Sequence, residues 1–541
     1  MTNERRTLMA LLLSGLILLG WSLYMSKYGP KPVPKPQPAP PGSAAPADTT
    51  TRQPAPPTQV VPTTATPDQE KKIVVETDRF RAVFSTRGAS LESYRLKGYK
   101  GLEEGGVELV PKGQNALSFL IPLGKDTLNL SGVTFRCEAD SIRLGGAGGP
   151  PVEVVFTASL SESLSLEERL RFSSGEFGFG MEVSLLAPHD APLGRDCIAD
   201  WRTALASTEK NKKEDHGYFG AVALLGASVH TEKESGLKKG PQTFTGQIGW
   251  AGVRTKYFMA CLIPEGGGSS IEARRTPDGQ ATTKLAVPWG KSRSVRCRVF
   301  LGPLSYGVLK PYGASLERLT ESGWSWTHPL LRFFLKVLLA LRRVIPNYGL
   351  VIIVFTILVE IVFFPLTLQS LKSAKKMQKL GPKMTQIREQ YKKDPARVNK
   401  ETMALYKKEK ANPFGGCLPM LIQAPVFITL YSLFKDTFEL RGAAFAFWLT
   451  DLSQPDRFYV LPILMGVSQF FQSKLSGMAN DPRQKQMTYM MPVMMTVMFI
   501  FYNFPSGLTL YWFVKNLLSI AENYFVHIQA EREEGMREEQ K

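Results

Sequence analysis

The feature that most constrains this chain is an apolar run at Asn347–Thr367, NYGLVIIVFTILVEIVFFPLT. The run is long enough to cross a bilayer as a helix, yet it carries Glu360 in its interior. A charge near the bilayer centre costs at least ~2.5 kcal/mol on insertion scales, and such residues usually face a bundle interior or a watery cavity. Thr356 stands one helical turn before Glu360, so the two polar side chains share a face. We therefore expect a membrane helix with a polar face.

The N-terminal part of the chain predicts a membrane anchor and a tether. An apolar run at 8–25 follows Arg5 and Arg6, and no small-residue cleavage site comes after it. We predict that residues 1–28 form an uncleaved anchor whose N-terminus is cytoplasmic. Residues 29–70 are rich in Pro, Ala and Thr. Such a segment cannot bury a core and is typical of a semi-rigid linker.

Residues 71–310 contain short runs in which apolar and polar residues alternate, such as IVVETDRFRAVFS and GMEVSLLAP. This pattern predicts an antiparallel, all-β, sandwich-like domain. His189, His216 and His230 lack metal-ligand spacing, so we predict no metal, cofactor or catalytic site. The five cysteines show no CxxC spacing, and their odd number excludes a closed set of intramolecular disulfides. Pairing among some of them stays open.

A helical connector is predicted next, at 311–346. Its second half, HPLLRFFLKVLLALRRVIP, mixes basic residues with Leu and Phe, which favours an amphipathic helix in the membrane interface. A core helix of the β domain is the alternative. Residues 347–527 should form an α-helical polytopic bundle, and residues 528–541 a short tail. The spanning candidates are 348–367, 417–438, 458–473, 487–504 and 506–526. With the anchor this predicts six spans, five of which form the core.

A basic segment between the first two core spans sets the predicted orientation. Residues 369–414 hold 13 Lys and Arg against four Asp and Glu, and cytoplasmic loops carry such an excess. Both termini are therefore predicted in the cytoplasm, and the β domain in the periplasm. Two helices, KKMQKLGPKMTQIREQYKK from residue 375 and ARVNKETMALYKKEK, are joined at Asp394 and Pro395. They could form a hairpin, although a solvated connector is the alternative.

The lysines of this segment could meet anionic lipid or ribosomal RNA. The candidates are Lys375, Lys376, Lys379, Lys383, Lys392, Lys393, Lys407 and Lys408.

Four ordered stretches resemble the YidC family of membrane-protein insertases. They are NPFGGCLPMLIQAPVFITLYSLF (412–434), ELRGAAFAFWLTDLS (439–453), YVLPILMGVSQFF (459–471) and FPSGLTLYWFVKNL (504–517). The resemblance covers about 345–527, and the anchor, tether and β domain are similar in architecture to the Gram-negative branch.

The resemblance implies a non-enzymatic insertase and chaperone of the bacterial inner membrane. Such proteins help nascent membrane proteins to insert and fold, alone or with the Sec translocon, and they accept ribosome-bound chains. No cofactor and no small-molecule substrate is implied. Relatives build a hydrophilic groove among five spans, open to the cytoplasm and to lipid. The polar end of a client enters this groove, and its apolar part slides along the outer helices.

Polar residues deep in the spans are the groove candidates. Thr509, Trp512, Asn516 and Ser519 recur at helical spacing on one face. The full set is Thr356, Glu360, Gln423, Gln469, Thr509, Tyr511, Trp512, Lys515, Asn516 and Ser519. Each could instead form a hydrogen bond between helices.

A methionine-rich span predicts the apolar surface along which clients slide. The candidates are Met491, Met494, Met495 and Met498. Methionine is flexible and polarisable, so it suits varied apolar partners; ordinary packing within the bundle is the alternative.

One position departs from the resemblance. Relatives usually have an arginine five residues before the proline that is Pro365 here, and this chain has Glu360. Lys515 stands in the last span where relatives usually have a small polar residue. At 1.5 Å per residue, Glu360 and Lys515 lie ~20 Å and ~13 Å from the outer ends of their helices. We predict that they pair or share the groove, because pairing lowers the cost of both charges.

Other functional classes fit the sequence less well. A polytopic secondary transporter that uses Glu360 and Lys515 is the alternative function, but it should show an inverted repeat and broken helices in both halves. We find no repeat. A membrane enzyme would need clustered His, Asp and Glu, and the spans offer no histidine before His527. A simple tether for the β domain would not need buried charges.

Overall fold

A computed structural model describes residues 59–60, 70–102, 104–146, 149–277, 280–392, 394–409, 418–475 and 482–539. The predicted anchor and most of the predicted tether lie outside these residues. The described residues form a β domain followed by a helical bundle.

The β domain is built from two sheets. Its strands are β1 (Gln59–Val60), β2 (Lys72–Glu76), β3 (Phe80–Ser85), β4 (Ser90–Leu96), β5 (Val107–Glu108), β6 (Leu117–Leu123), β7 (Asp126–Asn129), β8 (Ser141–Arg143), β9 (Val152–Ser161), β10 (Leu164–Phe172), β11 (Gly178–Leu186), β12 (Asp196–Trp201), β13 (Gly220–Leu225), β14 (Ser228–Lys233), β15 (Gln242–Arg254), β16 (Phe258–Pro264), β17 (Gly268–Arg275), β18 (Ala281–Pro288) and β19 (Ser294–Pro303). The large sheet has the order β1-β7-β6-β12-β18-β17-β15-β16-β19-β11-β10-β9, and β13 joins it through β15 and pairs with β14. The small sheet has the order β5-β4-β3-β2-β8. The parallel pairs between described strands are β1–β7 and β2–β8.

The two sheets pack face to face around one aromatic core. On the small sheet, the Phe84 ring lies 5.8 Å from Phe172 and 5.5 Å from Phe179 of the large sheet, between ring centroids. Trp201 and Trp250 are fully buried in the same core. Edge-to-face pairs of this kind add about 0.5–1.5 kcal/mol beyond the area that they bury. The alternating strands thus confirm the predicted sandwich-like β domain.

Part of the predicted tether is a strand, which corrects the sequence prediction. Residues Gln59 and Val60 pair in parallel with Thr127 and Leu128 of β7. The surrounding prolines cannot donate to a ladder, but the short stretch QVV contains none and has β-branched valines. It can therefore add to the edge of the sheet.

The helices are α1 (Lys212–His216), α2 (Tyr306–Leu309), α3 (His328–Val344), α4 (Tyr348–Lys379), α5 (Gly381–Gln390), α6 (Pro395–Lys408), α7 (Leu418–Asp436), α8 (Val460–Leu475), α9 (Pro482–Phe501) and α10 (Ser506–Glu539). Among the described residues, the segment Tyr348–Ser373 of α4 is the one helix that is long and apolar enough to span a membrane by itself. Residues Tyr489–Phe501 form a shorter apolar helix within α9.

The basic segment differs from its predicted form at its start. Helix α4 continues through Pro365 to Lys379, so the first hairpin helix, predicted from residue 375, begins at Gly381 instead. The reason is that the first strong helix boundary is Gly381 followed by a proline, and proline is favoured at a helix start. The second hairpin helix begins at Pro395 as predicted, and the Asp394 side chain accepts a hydrogen bond from Arg397 N at 3.1 Å.

Helix α3 packs on the bundle and not on the β domain. Its buried residues Leu331, Phe334, Leu335 and Leu338 follow helical spacing. They belong to the core that α4 and α7 also form, where the Phe334 ring lies 5.3 Å from Phe355. The alternative, a core helix of the β domain, is therefore not what forms. Its position at a membrane interface stays a prediction.

The segment that follows α7 joins the bundle to the β domain. The Phe438 ring lies 5.4 Å from Tyr99 and 5.5 Å from Phe258, between centroids. Beside it, Arg441 Nε lies 2.7 Å from Glu209 Oε1 in a largely buried ion pair. Burial raises the pKa of the Glu209 carboxyl above its usual range, although Arg441 opposes this. The junction is thus built from both aromatic and charged contacts.

Candidate functional site

Helix α4 presents a polar face to the bundle and an apolar face outwards. Thr356 is fully buried and Glu360 is 7% exposed, whereas Ile361 and Val362 are largely exposed. The Thr356 hydroxyl donates to the Ile352 carbonyl oxygen at 2.7 Å, so its own helix satisfies it. Of the two predicted groove residues on α4, Glu360 is the one whose charge faces the neighbouring helices.

Helix α10 carries the opposing polar face. Lys515, Ser519 and Glu522 stand at i, i+4 and i+7, so they lie on one side of the helix. The Ser519 hydroxyl accepts a hydrogen bond from Gln472 Nε2 of α8 at 3.0 Å. Glu522 and Gln472 were not among the predicted groove residues. Helical spacing from Lys515 was the signal that could have identified Glu522.

The three charged residues of this site interact across the α4–α10 contact. Glu360 experiences the charge of Lys515, and Glu522 experiences the charges of both Glu360 and Lys515. Within the part of the chain that the structure describes, however, no ion pair of 4.0 Å or less joins these side chains. Glu360 and Lys515 therefore lie near each other without direct contact, and their functional coupling stays a prediction.

Two predicted groove residues bind each other and link two helices. Gln423 Nε2 of α7 donates to the Tyr511 hydroxyl of α10 at 2.9 Å. Tyr511 is fully buried. This bond fixes α7 against α10 beside Glu360.

Other candidates make contacts that hold the bundle together. Asn516 Nδ2 donates to the Met465 carbonyl oxygen at 3.2 Å and to Ser468 Oγ at 3.1 Å, which ties α10 to α8. The Thr509 hydroxyl donates to the carbonyl oxygen of Pro505, the residue before α10. The Asn516 contacts match the alternative of a hydrogen bond between helices, whereas Thr509 bonds to its own backbone one turn away.

Trp512 and Gln469 differ in their surroundings. The Trp512 ring lies edge-on to Phe427, 5.2 Å away between centroids, in an aromatic group that also includes Phe499. Gln469 Oε1 is buried and accepts no hydrogen bond from any described residue. Gln469 thus leaves an acceptor available within the bundle.

The four methionines of the predicted sliding surface do not all face outwards. Met494 is 53% exposed on the outer side of α9. Met495 and Met498 pack against the helical core, and Met491 is half-buried. Helix α8 continues the exposed apolar surface with Ile463, Leu464, Val467 and Phe471. Met494 and this face of α8 therefore form the outward apolar surface.

The hairpin of α5 and α6 has exposed lysines, and contacts between its two parts hold it together. Lys383 Nζ lies 2.7 Å from Glu409 Oε1, and the Tyr406 hydroxyl lies 3.4 Å from Met384 Sδ. The exposed candidates on or beside the hairpin include Lys392, Lys407 and Lys408. Lys376 and Lys379 lie on the end of α4. Lys393 and the side chain of Lys375 are not among the parts of the chain that the structure describes.

No group of three or more His, Cys, Asp or Glu that could hold a metal ion occurs in the described ranges. Cys137, Cys197, Cys261 and Cys297 are free cysteines in this structure.

Comparison with known proteins finds relatives along most of the chain. The family profile described as "60Kd inner membrane protein" matches residues 340–533, and the profile "YidC periplasmic domain" matches residues 72–335. A protein of Syntrophus aciditrophicus (strain SB) named "Membrane protein insertase YidC" is 34% identical, covering 97% of this chain and 100% of its own. A protein of the same name from Geotalea daltonii is 37% identical, covering 84% of this chain and 86% of its own.

A solved structure is also similar. It is described as an active YidC insertase with the first transmembrane domain resolved. It covers 85% of this chain and 93% of its own, at 18% identity and a TM-score of 0.39.

Proposed function

This chain belongs to the YidC family of membrane protein insertases, and we propose that it inserts nascent inner-membrane proteins through the polar face between α4 and α10. As an insertase it is not an enzyme. The observation that carries the proposal is Glu360, a buried carboxylate in a helix long enough to span the membrane. A helix that only anchored the β domain would not need such a residue.

The two surfaces of the bundle suit the two parts of a client. The polar face provides charged and amide groups that replace water for a hydrophilic segment. This lowers the cost of moving polar groups into the membrane. The exposed apolar sides of α8 and α9 lie on the outside of the same bundle. An apolar client segment can slide along them into lipid while its polar end stays in the groove.

We extend the proposal to the membrane topology. The core spans are α4, α7, α8, α9 and α10, and the N-terminal anchor makes six. Helix α8 has only 16 residues, which is short for the ~30 Å hydrocarbon core, so the bilayer would thin beside it. The lysines of the hairpin support a cytoplasmic position for α5 and α6, which puts both termini in the cytoplasm and the β domain in the periplasm.

Three partners belong to the proposal. The exposed lysines of the hairpin suit anionic lipid headgroups and the phosphates of ribosomal RNA. Docking of a ribosome there would deliver nascent chains to the cytoplasmic side of the groove. Clients that need the Sec translocon would reach the bundle from the lipid side.

Reconstitution tests the proposal. The full chain is placed in vesicles, and a reporter with one apolar segment and a short polar tail is translated beside them. We expect the tail to become protected from protease, and empty vesicles to give little protection. Protection no better than in empty vesicles would contradict the proposal. Depletion of this protein in cells distinguishes the insertase from the alternative, a secondary transporter. Loss of solute uptake with normal membrane insertion would indicate a transporter.

A further inference from the structure

Among the described residues of α4 and α10, the charges of the polar face are not balanced. Two carboxylates, Glu360 and Glu522, accompany one ammonium group, Lys515. At 1.5 Å per residue, Glu522 lies ~24 Å from the start of α10, close to the ~20 Å of Glu360 along α4. Lys515 lies nearer the outer end, at ~13 Å. The inner half of the groove is therefore acidic, and the lysine lies further out.

Buried hydrogen-bond acceptors in the bundle lack donors. Glu522 Oε2 and Gln469 Oε1 are buried and accept no hydrogen bond from any residue in the described ranges. Glu360 is 7% exposed, and it too accepts none from the described residues. Lys515 forms no ion pair within 4.0 Å with either carboxylate. Buried acceptors without donors are costly, and a carboxylate more so than an amide.

A cation with several N–H groups would relieve this cost. A lysine ammonium offers three donors, and an arginine guanidinium offers five. Either one would neutralise the excess carboxylate and satisfy acceptors on both helices. An acidic side chain would add a third negative charge at a site that already has two, and like charges at close range discriminate strongly against a partner.

We infer that the inner half of the groove recognises basic side chains, lysine or arginine, in the polar segment that a client passes through it. Glu360 and Glu522 are the residues that determine this specificity. The inference rests on the proposed insertase function, and it names the class of client segment that this groove prefers.

Three matched reporters test the inference. They share one apolar segment and one tail length, and the tail carries two lysines, two glutamines or two aspartates. The full chain is reconstituted in zwitterionic vesicles without a membrane potential, so that neither lipid charge nor potential sorts the tails. We expect lysine tails to be inserted at least threefold better than aspartate tails, with glutamine tails between them.

Variants show whether the carboxylates cause the preference. Glu522→Gln and Glu360→Gln should each reduce the lysine-to-aspartate ratio at least twofold; the ratio compares tails in the same variant, so a general slowing of insertion does not change it. The matched control is Glu389→Gln, which removes an exposed carboxylate from α5 and should leave the ratio unchanged. Insertion of the glutamine tail also verifies that each variant is folded.

A second readout does not depend on insertion efficiency. A carbodiimide joins a carboxylate to a nearby amine, so lysine tails stalled in the groove should cross-link to the chain. This cross-link should weaken in Glu522→Gln and be lost when Glu360→Gln is added.

The outcomes distinguish the inference from the proposed function. Equal insertion of all three tails, or a preference for aspartate tails, overturns the inference and leaves the insertase function intact. A lysine preference that both glutamine variants retain also overturns it. Failure of every tail to exceed empty vesicles contradicts the proposed function itself.

Discussion

The polar side chains of the bundle fall into two groups, those that form hydrogen bonds to another helix and those with unpartnered acceptors. Gln423 and Asn516 use theirs to join helices, to Tyr511 and to α8 respectively. Glu360 and Glu522 keep acceptor atoms that no described residue satisfies. The first kind joins helices, and the second kind leaves acceptors open, as the proposed groove requires.

The Gln423–Tyr511 hydrogen bond should stabilise the bundle measurably. Tyr511→Phe removes the acceptor and leaves the Gln423 amide unpaired beside a buried ring. We expect a loss of about 1 kcal/mol, as for other hydrogen bonds between membrane helices, seen as a lower melting temperature in detergent. Adding Gln423→Leu should recover part of the loss. A double variant that loses the full sum of both single effects would show that the bond contributes nothing.

Glu360 and Lys515 should be coupled in function. Glu360→Gln removes one of the two carboxylates near Lys515, and Lys515→Met leaves both carboxylates without a cation, so each should slow insertion of a neutral-tailed reporter. The double variant should be less impaired than the sum, by a coupling of about 1 kcal/mol or fivefold in rate. Insertion rates in reconstituted vesicles give this value. Additive effects would mean that the two charges act independently.

A buried carboxyl in the β domain predicts a pH-dependent stability. Glu168 is 4% exposed on the inward side of β10, beside Leu166 and Leu170. Burial raises the pKa of this carboxyl from 4.5 to about 8. The folded protein therefore keeps the proton between these values while the unfolded chain releases it, so stability falls as pH rises through this window.

We expect the free energy of unfolding of the β domain to fall by roughly 3 kcal/mol between pH 5 and pH 8 because of Glu168. Glu168→Gln cannot ionise and should flatten this part of the profile. Denaturant unfolding of the full chain, followed by fluorescence of the buried tryptophans, measures both profiles. Parallel profiles for the two proteins would rule out Glu168 as the cause.

At the scale of elements, close helix contacts depend on small residues. Helix α8 meets α9 where Gly466 faces Thr496, and a Cβ atom on Gly466 would lie well inside the van der Waals radius of Thr496 Oγ1. Small residues allow membrane helices to approach closely in this way. The apolar outer surface of α8 and α9 depends on this contact because both helices must stay side by side.

Gly466→Ala should therefore separate or tilt the two helices. We expect a loss of about 1–3 kcal/mol from overpacking, read as a lower melting temperature in detergent. Adding Thr496→Ala removes the clashing hydroxyl and should restore most of the stability. Gly381→Ala is the control, since a Cβ there meets nothing within 4 Å. If Gly466→Ala melts like the control, the helices are not held at this distance.

At the scale of the whole molecule, the β domain and the bundle are joined by more than the chain. The Tyr218 hydroxyl lies 2.8 Å from Asp436 Oδ1 at the end of α7, and Ser305 Oγ lies 2.8 Å from Glu439 Oε1. A cavity of about 890 Å³ lies along the same junction. The C-terminal end of α7, a helix that contributes Gln423 to the proposed groove, thus contacts the β domain.

Breaking this junction should uncouple the two parts. Arg441→Met leaves Glu209 buried without its partner and should cost about 3 kcal/mol. We expect calorimetry in detergent to resolve two unfolding transitions, and limited proteolysis to cut the segment after α7 more readily. Arg296→Met is the control, because it breaks an ion pair with Glu182 in which the arginine is exposed. A single unchanged transition in Arg441→Met would show that this ion pair does not couple the two parts.

Much of this architecture could be predicted because its signals are local. Alternation with period two identifies strands such as β10, and the length of one apolar run identifies α4. The Asp394–Pro395 step marks a helix start through a side chain and a ring that act on adjacent backbone. Predictions were weaker where a boundary depended on competing local signals, as at the end of the first core span, which was predicted at residue 367 although α4 continues to Lys379.

By itself the sequence determined the segments of this protein, its β-rich and helical parts, its basic hairpin and the buried charge of Glu360, because periodicity, length and charge are properties of adjacent residues. Only the tertiary structure decided which polar groups find partners. It placed Glu522 near Glu360. It also formed the hydrogen bonds from Gln423 to Tyr511 and from Asn516 to α8. These contacts join helices far apart in the chain, and they depend on how the helices rotate and pack against one another, which no local pattern encodes.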